Sequence, residues 1–85
     1  MPFVRMEDAL VLAKLETSIP QGFRLSSSDY KVLIASLPHP DVTVVGTPAQ
    51  YAFRGIGLTE TTQEGGRSEL HVLGQRPIFE NPIPV

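Results

Sequence analysis

The fold is decided by the segment from Gln50 to Gly74, which has the sequence QYAFRGIGLTETTQEGGRSELHVLG. Both halves of the segment are rich in aromatic, β-branched and other apolar residues that favour strands, and they flank the pair Gly65-Gly66. A Gly-Gly pair supplies the positive φ angles that a two-residue hairpin turn requires. The pattern therefore predicts an antiparallel hairpin with its tip at Gly65-Gly66.

The tip also predicts the register, which places Glu60 opposite His71 and Leu58 opposite Leu73. On this register one face carries Tyr51, Phe53, Gly55, Gly57, Thr59, Thr61, Leu70 and Val72, and the other carries Arg54, Ile56, Leu58, Glu60, Glu69, His71 and Leu73. Both faces are partly apolar, and a chain of 85 residues has few elements with which to cover them. We therefore expect the helices on one face and a second copy of the chain, or another partner, on the other.

Two helices are predicted before this segment. The first runs from about Arg5 to Thr17, where apolar residues at the helical period form one broad stripe, while Val11 and Leu15 fall on nearly the opposite side. The sequence Ile19-Pro20-Gln21-Gly22 contains two helix breakers and is expected to end it. The second helix is predicted over 27–37, with Ser26 as its N-cap. The first helix carries two apolar stripes, so we expect it to pack against two neighbours.

A short strand is predicted from Asp41 to Gly46, because this segment is β-branched and bounded by turn residues. The resulting fold class is α+β, with two N-terminal helices packed on a three-stranded antiparallel sheet in the order α-α-β-β-β. We expect one such domain over 1–76. Residues 77–85 contain three prolines and are predicted to form an extended C-terminal arm, with a frayed tail as the alternative.

Composition and charge exclude several classes of function. A formal net charge of −2 and scattered basic residues offer no attraction for a phosphate backbone. Two helices followed by a hairpin resemble the outline of a winged-helix domain, but the second helix offers only Lys31 as a basic group, so we expect no nucleic-acid partner. The chain has no cysteine, and its apolar runs are too short to cross a bilayer. The expectation is a soluble, cytoplasmic protein with no membrane partner.

The predicted pair of Glu60 and His71 is the candidate catalytic group. A carboxylate beside an imidazole fixes its tautomer and stabilises its charged form, as general acid–base chemistry requires. Arg54 falls on the same predicted face and is a candidate anion-binding residue. The structural alternatives are an ordinary cross-strand ion pair for Glu60 and His71 and an interface position for Arg54.

The second candidate is a ligand-binding surface beside Tyr51, where Gly55 and Gly57 lack side chains at neighbouring positions of one strand. Such a gap admits the close approach of a helix, another backbone or a flat ligand. Zinc sites need three or four ligands, and only His39 could join His71, so we expect no metal and no cofactor.

We predict a small, non-enzymatic interaction module that self-associates as a homo-oligomer and binds an unidentified protein partner. The expected interface residues are all apolar and lie on the sheet and the arm: Ile56, Leu58, Leu73, Ile78 and Phe79. The alternative function is a small enzyme or small-molecule-binding protein whose pocket forms between subunits from Glu60, His71 and Arg54. Clustering of those three residues around one cavity would favour the alternative.

Overall fold

A computed structural model describes residues 2–62, 64–74 and 82–85 of the chain. Within these residues two helices pack on a mixed sheet of six strands. The elements are α1 (Pro2–Leu15), β1 (Ile19–Leu25), α2 (Ser27–Ala35), β2 (Val42–Val45), β3 (Gln50–Phe53), β4 (Ile56–Glu60), β5 (Glu69–Leu73) and β6 (Ile83–Pro84). The strand order is β2-β3-β4-β1-β5-β6, and all neighbouring pairs are antiparallel except β1 with β4.

The three-stranded antiparallel sheet expected from the sequence is therefore wrong, and so is the hairpin with its tip at Gly65-Gly66. The reason is β1, which lies between β4 and β5 and pairs Phe23 with Leu58 on one side and with Leu70 on the other. Since Phe23 and Leu25 are almost completely buried, β1 supplies the central apolar strand of the sheet. The predicted pairs of Glu60 with His71 and of Leu58 with Leu73 do not form.

The hairpin turn lies instead at Arg54-Gly55, between β3 and β4. Both residues have positive φ angles, 50° and 82°, as the two central positions of a type I′ turn require. The turn places Phe53 opposite Ile56, so that these two residues share a face of the sheet. The sequence-based register had put them on opposite faces, which is a second correction.

The two helices form close to where the sequence predicts them. α1 begins at Pro2, before the expected start at Arg5, because proline is well suited to the first turn of a helix. Its buried side consists of Pro2, Phe3, Met6, Ala9 and Ala13. The N-cap prediction for α2 is confirmed: the Asp29 backbone N–H donates to Ser26 Oγ at 3.2 Å.

Both helices contribute to one core on a single face of the sheet. Its buried apolar residues are Phe3, Met6, Ala9, Ala13, Phe23, Leu25, Leu33, Phe53, Leu58, Leu70, Val72 and Ile83. Inside this core the rings of Phe23 and Phe53 meet edge to face with centroids 6.0 Å apart. The register directs Gly22, Arg24, Gly57, Thr59 and His71 to the other face, and neither helix packs there.

The described end of the C-terminal arm belongs to the sheet. Ile83 lies opposite Leu70 of β5 and is buried in the core. The predicted interface residues Ile78 and Phe79 lie outside the described residues. Neither of the two described helices combines the length and the apolar character that crossing a membrane requires.

Candidate functional site

The two halves of β4 pair with different strands, and a cleft opens where the pairing changes from one neighbour to the other. Its first residues, Ile56 and Gly57, pair with β3, whereas the segment from Leu58 to Glu60 pairs with β1 on the opposite side. The β3–β4 register stops at the pair of Ala52 and Gly57. The space that opens beyond it, which we call the β3–β4 cleft, has a volume of about 620 Å³. That volume lies within the range of small-ligand pockets.

Two glycines form the floor of the β3–β4 cleft. A Cβ atom built at Gly57 would meet no other atom within 4 Å, and one at Gly22 would lie 3.6 Å from the Gly57 carbonyl oxygen. The sheet therefore exposes bare backbone here, which permits close approach of a ligand or of another backbone. Gly57 is one of the ligand-binding residues predicted from the sequence, and Gly22 is not.

Aromatic rings line the helix side of the cleft. Tyr30 of α2 and Tyr51 of β3 meet edge to face, with ring centroids 6.4 Å apart. Burial raises the pKa of Tyr30, and the nearby Tyr51 and Glu60 raise it further. Tyr30 is therefore protonated at neutral pH, where its hydroxyl remains a hydrogen-bond donor.

Charged groups border the opposite, open side of the cleft. Arg24 lies beside Thr59 of β4 and Glu69 of β5 in the register, yet it forms no ion pair with another residue of the described ranges. His71 Nε2 lies 3.7 Å from Glu69 Oε1, and this nitrogen has no hydrogen-bond partner among the described residues. The open side thus offers the exposed Arg24 as a cation without an ion-pair partner in this part of the chain, whereas His71 Nε2 is itself buried.

Glu60 and His71 both line the cleft, but they lie on opposite faces of the sheet. Glu60 follows buried Leu58 at the strand period and so lies on the helix face, whereas His71 lies between two buried residues of β5 and projects from the other face. Their partners on β1, Leu25 and Gly22, are three residues apart, a spacing of about 10 Å along a strand. This arrangement does not give an acid–base pair.

Arg54 and Gly55 lie outside the cleft, in the exposed β3–β4 turn. The Arg54 guanidinium lies 3.3 Å from a carboxylate oxygen of Glu7 and 3.5 Å from one of Asp41, and it also packs over the Phe53 ring. Arg54 therefore joins the turn to α1 and to the start of β2. The three residues proposed to form one catalytic pocket are not brought together.

Leu58 and Ile56, two of the predicted interface residues, also have different positions from those expected. Leu58 is buried in the core, and Ile56 is half-buried against it, because the turn at Arg54-Gly55 directs both to the helix face. Neither is available on the open face. Leu73, in contrast, is 63% exposed.

A second polar cluster, which we call the Asp29 clamp, joins α1, α2 and the segment before β5. Arg5 donates to Asp29 Oδ1 at 2.6 Å, Ser68 Oγ donates to Asp29 Oδ2, and the Ser26 N–H donates to Ser68 Oγ at 2.9 Å. Burial by itself would raise the pKa of Asp29, but the hydrogen bonds from Arg5 and Ser68 outweigh it and hold the pKa below its usual value. A cleft of about 480 Å³ borders the clamp.

Sequence reasoning missed Gly22, Arg24 and Tyr30 as cleft residues. The signal for the first two is the alternation from Gly22 to Leu25, in which Phe23 and Leu25 are large apolar residues and Gly22 and Arg24 are not. Pro20 and Gly22 obscured this strand because both residues are depleted in strands. In the structure the β1–β5 register shifts between Pro20 and Gly22, and the pairing with β4 begins only at Phe23.

In the part of the chain that the structure describes, no three His, Cys, Asp or Glu side chains are grouped so that they could hold a metal ion. Comparison with protein-family models, with curated proteins and with solved structures finds no match for this chain.

Proposed function

We propose that this protein is a small, non-enzymatic interaction module that associates with itself and binds a further protein. The observation that carries the proposal is an apolar surface at one end of the molecule, which we call the end patch. It consists of Ile19 at the start of β1 and Leu73 at the end of β5, which are 59% and 63% exposed; Leu15 at the end of α1, four residues before Ile19 in the chain, is 77% exposed. Ile19 and Leu73 lie directly opposite each other in the sheet.

Burial of the end patch would favour association. Each large aliphatic side chain transferred from water into an interface contributes about 1.5–3 kcal/mol when fully buried. Val11, one of the two residues expected on the second stripe of the first helix, is 52% exposed and is a further apolar residue open to a partner. A closed, symmetric dimer is the commonest arrangement in which one patch covers its own copy.

The alternative, an enzyme or small-molecule-binding protein that uses Glu60, His71 and Arg54, receives less support from the geometry. Arg54 pairs with Glu7 and Asp41 away from the cleft, and the other two residues project from opposite faces of the sheet. Dispersal of these residues favours the interaction module.

Light scattering behind size exclusion at micromolar concentration tests self-association. We expect a mass above 9.3 kDa for the natural chain, and a shift toward that value for Leu73→Lys, which places a charge in the end patch. The matched control is Val45→Lys, which adds the same charge at an equally exposed valine of β2. A mass of 9.3 kDa for the natural chain would contradict self-association. Equal effects of both substitutions would show that the end patch is not the surface through which the chain self-associates.

A further inference from the structure

The β3–β4 cleft contains two facing strand edges that have no cross-strand partner among residues 2–62, 64–74 and 82–85. On one side, Gln50 and Tyr51 pair with β2 but not with β4. On the other side, the Thr61 N–H donates to the Leu25 carbonyl of β1 at 2.8 Å. Because successive backbone amides of a strand point in opposite directions, the Glu60 N–H points away from β1 and into the cleft. Backbone groups at strand edges are the groups to which an additional strand binds.

We propose that the β3–β4 cleft binds an extended, acidic peptide segment of another protein, which inserts as an additional strand between β3 and β4. This inference rests on the proposed function, because it names the partner class and the site of the interaction module. Strand addition of this kind obtains affinity from main-chain hydrogen bonds and specificity from alternate side chains. A cleft between two open edges offers main-chain hydrogen bonds on both sides of the inserted segment.

The size of the cleft fits a short strand. The β4 edge from Leu58 to Glu60 is about 10 Å long at the strand repeat, which accommodates about three residues of an extended peptide. Neither Gly22 nor Gly57 carries a side chain over the cleft floor, so a backbone can approach closely there.

The two sides of the cleft favour different side chains. One face of the inserted strand would meet the rings of Tyr30 and Tyr51 beside the Glu60 carboxylate, so apolar or aromatic residues are favoured there and acidic ones are not. The other face would meet Arg24, which has no ion-pair partner in the described ranges and favours a carboxylate. Since side chains alternate along a strand, the preferred segment has an acidic residue between two apolar ones.

The charge requirement argues against a strand edge of a second copy as the occupant. The edge strands of the described sheet are β2, with the sequence Val-Thr-Val-Val, and β6, with Ile-Pro, and neither carries a carboxylate for Arg24. The end patch lies at the ends of β1 and β5, away from the β3–β4 pair, so self-association leaves the cleft open to a different protein.

Selection from a phage-displayed library of random heptapeptides, followed by fluorescence anisotropy with synthetic copies of the enriched peptides, tests the proposal. We expect enrichment of an acidic residue flanked by apolar ones. Gly57→Val should weaken binding about tenfold or more, because its side chain would cover the floor. The matched control is Thr43→Val on β2, which places the same side chain on the same sheet face away from the cleft and should change affinity less than about twofold.

A second pair of variants tests the role of charge. Arg24→Gln should lower the affinity for the same peptides about fivefold to tenfold. Arg67→Gln, at another exposed arginine, should change that affinity less than about twofold. Bound peptide should also slow hydrogen exchange of the Glu60 amide, which keeps the proposal testable even if Gly57→Val fails to fold.

Three results would overturn the proposal. They are the absence of any enriched peptide, binding that Gly57→Val and Arg24→Gln leave unchanged, and unaltered exchange of the Glu60 amide in the presence of a binding peptide. If Gly57→Val converts the oligomer of the natural chain into a folded monomer, the cleft binds a second copy of the chain and not another protein. If Leu73→Lys abolishes self-association but leaves peptide binding normal, the oligomer interface and the cleft are two independent sites.

Discussion

The β3–β4 cleft and the Asp29 clamp are both lined by hydroxyl and charged groups, but only in the clamp do these groups bind one another. In the clamp, Asp29 accepts hydrogen bonds from Arg5 and Ser68, and Ser68 accepts one from the Ser26 N–H. In the cleft, Arg24 and His71 Nε2 have no hydrogen-bonded partner among the described residues. The clamp therefore holds three segments of the chain together, whereas the cleft keeps the exposed Arg24 available to a ligand.

This difference predicts different consequences of substitution. Removal of one member of a satisfied cluster leaves the other polar groups without partners, which costs more free energy than the lost hydrogen bond alone. Removal of a group that has no partner costs little. The stability of the folded chain should therefore depend on the clamp and not on the cleft.

The largest effect is expected for Asp29→Ala, which removes the carboxylate that Arg5 and Ser68 share. Hydrogen bonds to a charged group contribute about 1.5–3 kcal/mol, so we expect a loss of about 2 kcal/mol in the free energy of unfolding measured with urea. Asp8→Ala, on the exposed side of α1, is the control and should stay within about 0.5 kcal/mol. Equal effects of the two substitutions would contradict the structural role of the clamp.

Lowering the pH is expected to have a smaller effect on the stability of the folded chain. Because the pKa of Asp29 is lowered in the folded chain, its contribution to stability is complete above the ordinary value of 3.8 and is lost as the pH falls through the folded-state pKa. The stability difference between the natural chain and Asp29→Asn should therefore shrink between about pH 5 and pH 2. Urea unfolding of both chains over this range measures it. A difference that is independent of pH would show that the carboxylate charge does not contribute.

The two helices and β2, the strand predicted over Asp41–Gly46 and found at Val42–Val45, were predictable because their signals are local. Ser26 and its cap, for example, define the start of α2 within four residues. Sheet topology depends instead on pairing between distant segments, and here two local signals were misleading. Pro20 and Gly22 made β1 resemble a helix-ending loop, and Gly65-Gly66 resembled a stronger hairpin turn than Arg54-Gly55, since arginine rarely adopts a positive φ.

The candidate site was predicted in part, for the same reason. Glu60, His71, Tyr51 and Gly57 line the β3–β4 cleft as individual residues, but the relation between Glu60 and His71 depended on a hairpin that does not form. Arg24 and Gly22 could be placed only after β1 was recognised as a strand between β4 and β5. The cleft itself follows from where one strand exchanges neighbours, which no local pattern specifies.

The central claim is that no described strand pairs with the β4 edge facing the cleft, and amide hydrogen exchange at two adjacent residues tests most directly whether that edge is free. The Thr61 N–H donates to Leu25, whereas the Glu60 N–H points into the cleft, so NMR should show slow exchange at Thr61 and exchange at least about tenfold faster at Glu60. The two residues lie side by side, so local unfolding affects both amides alike. Equally slow exchange at both amides in the free protein would show that the edge already has a partner and would contradict the account of the cleft.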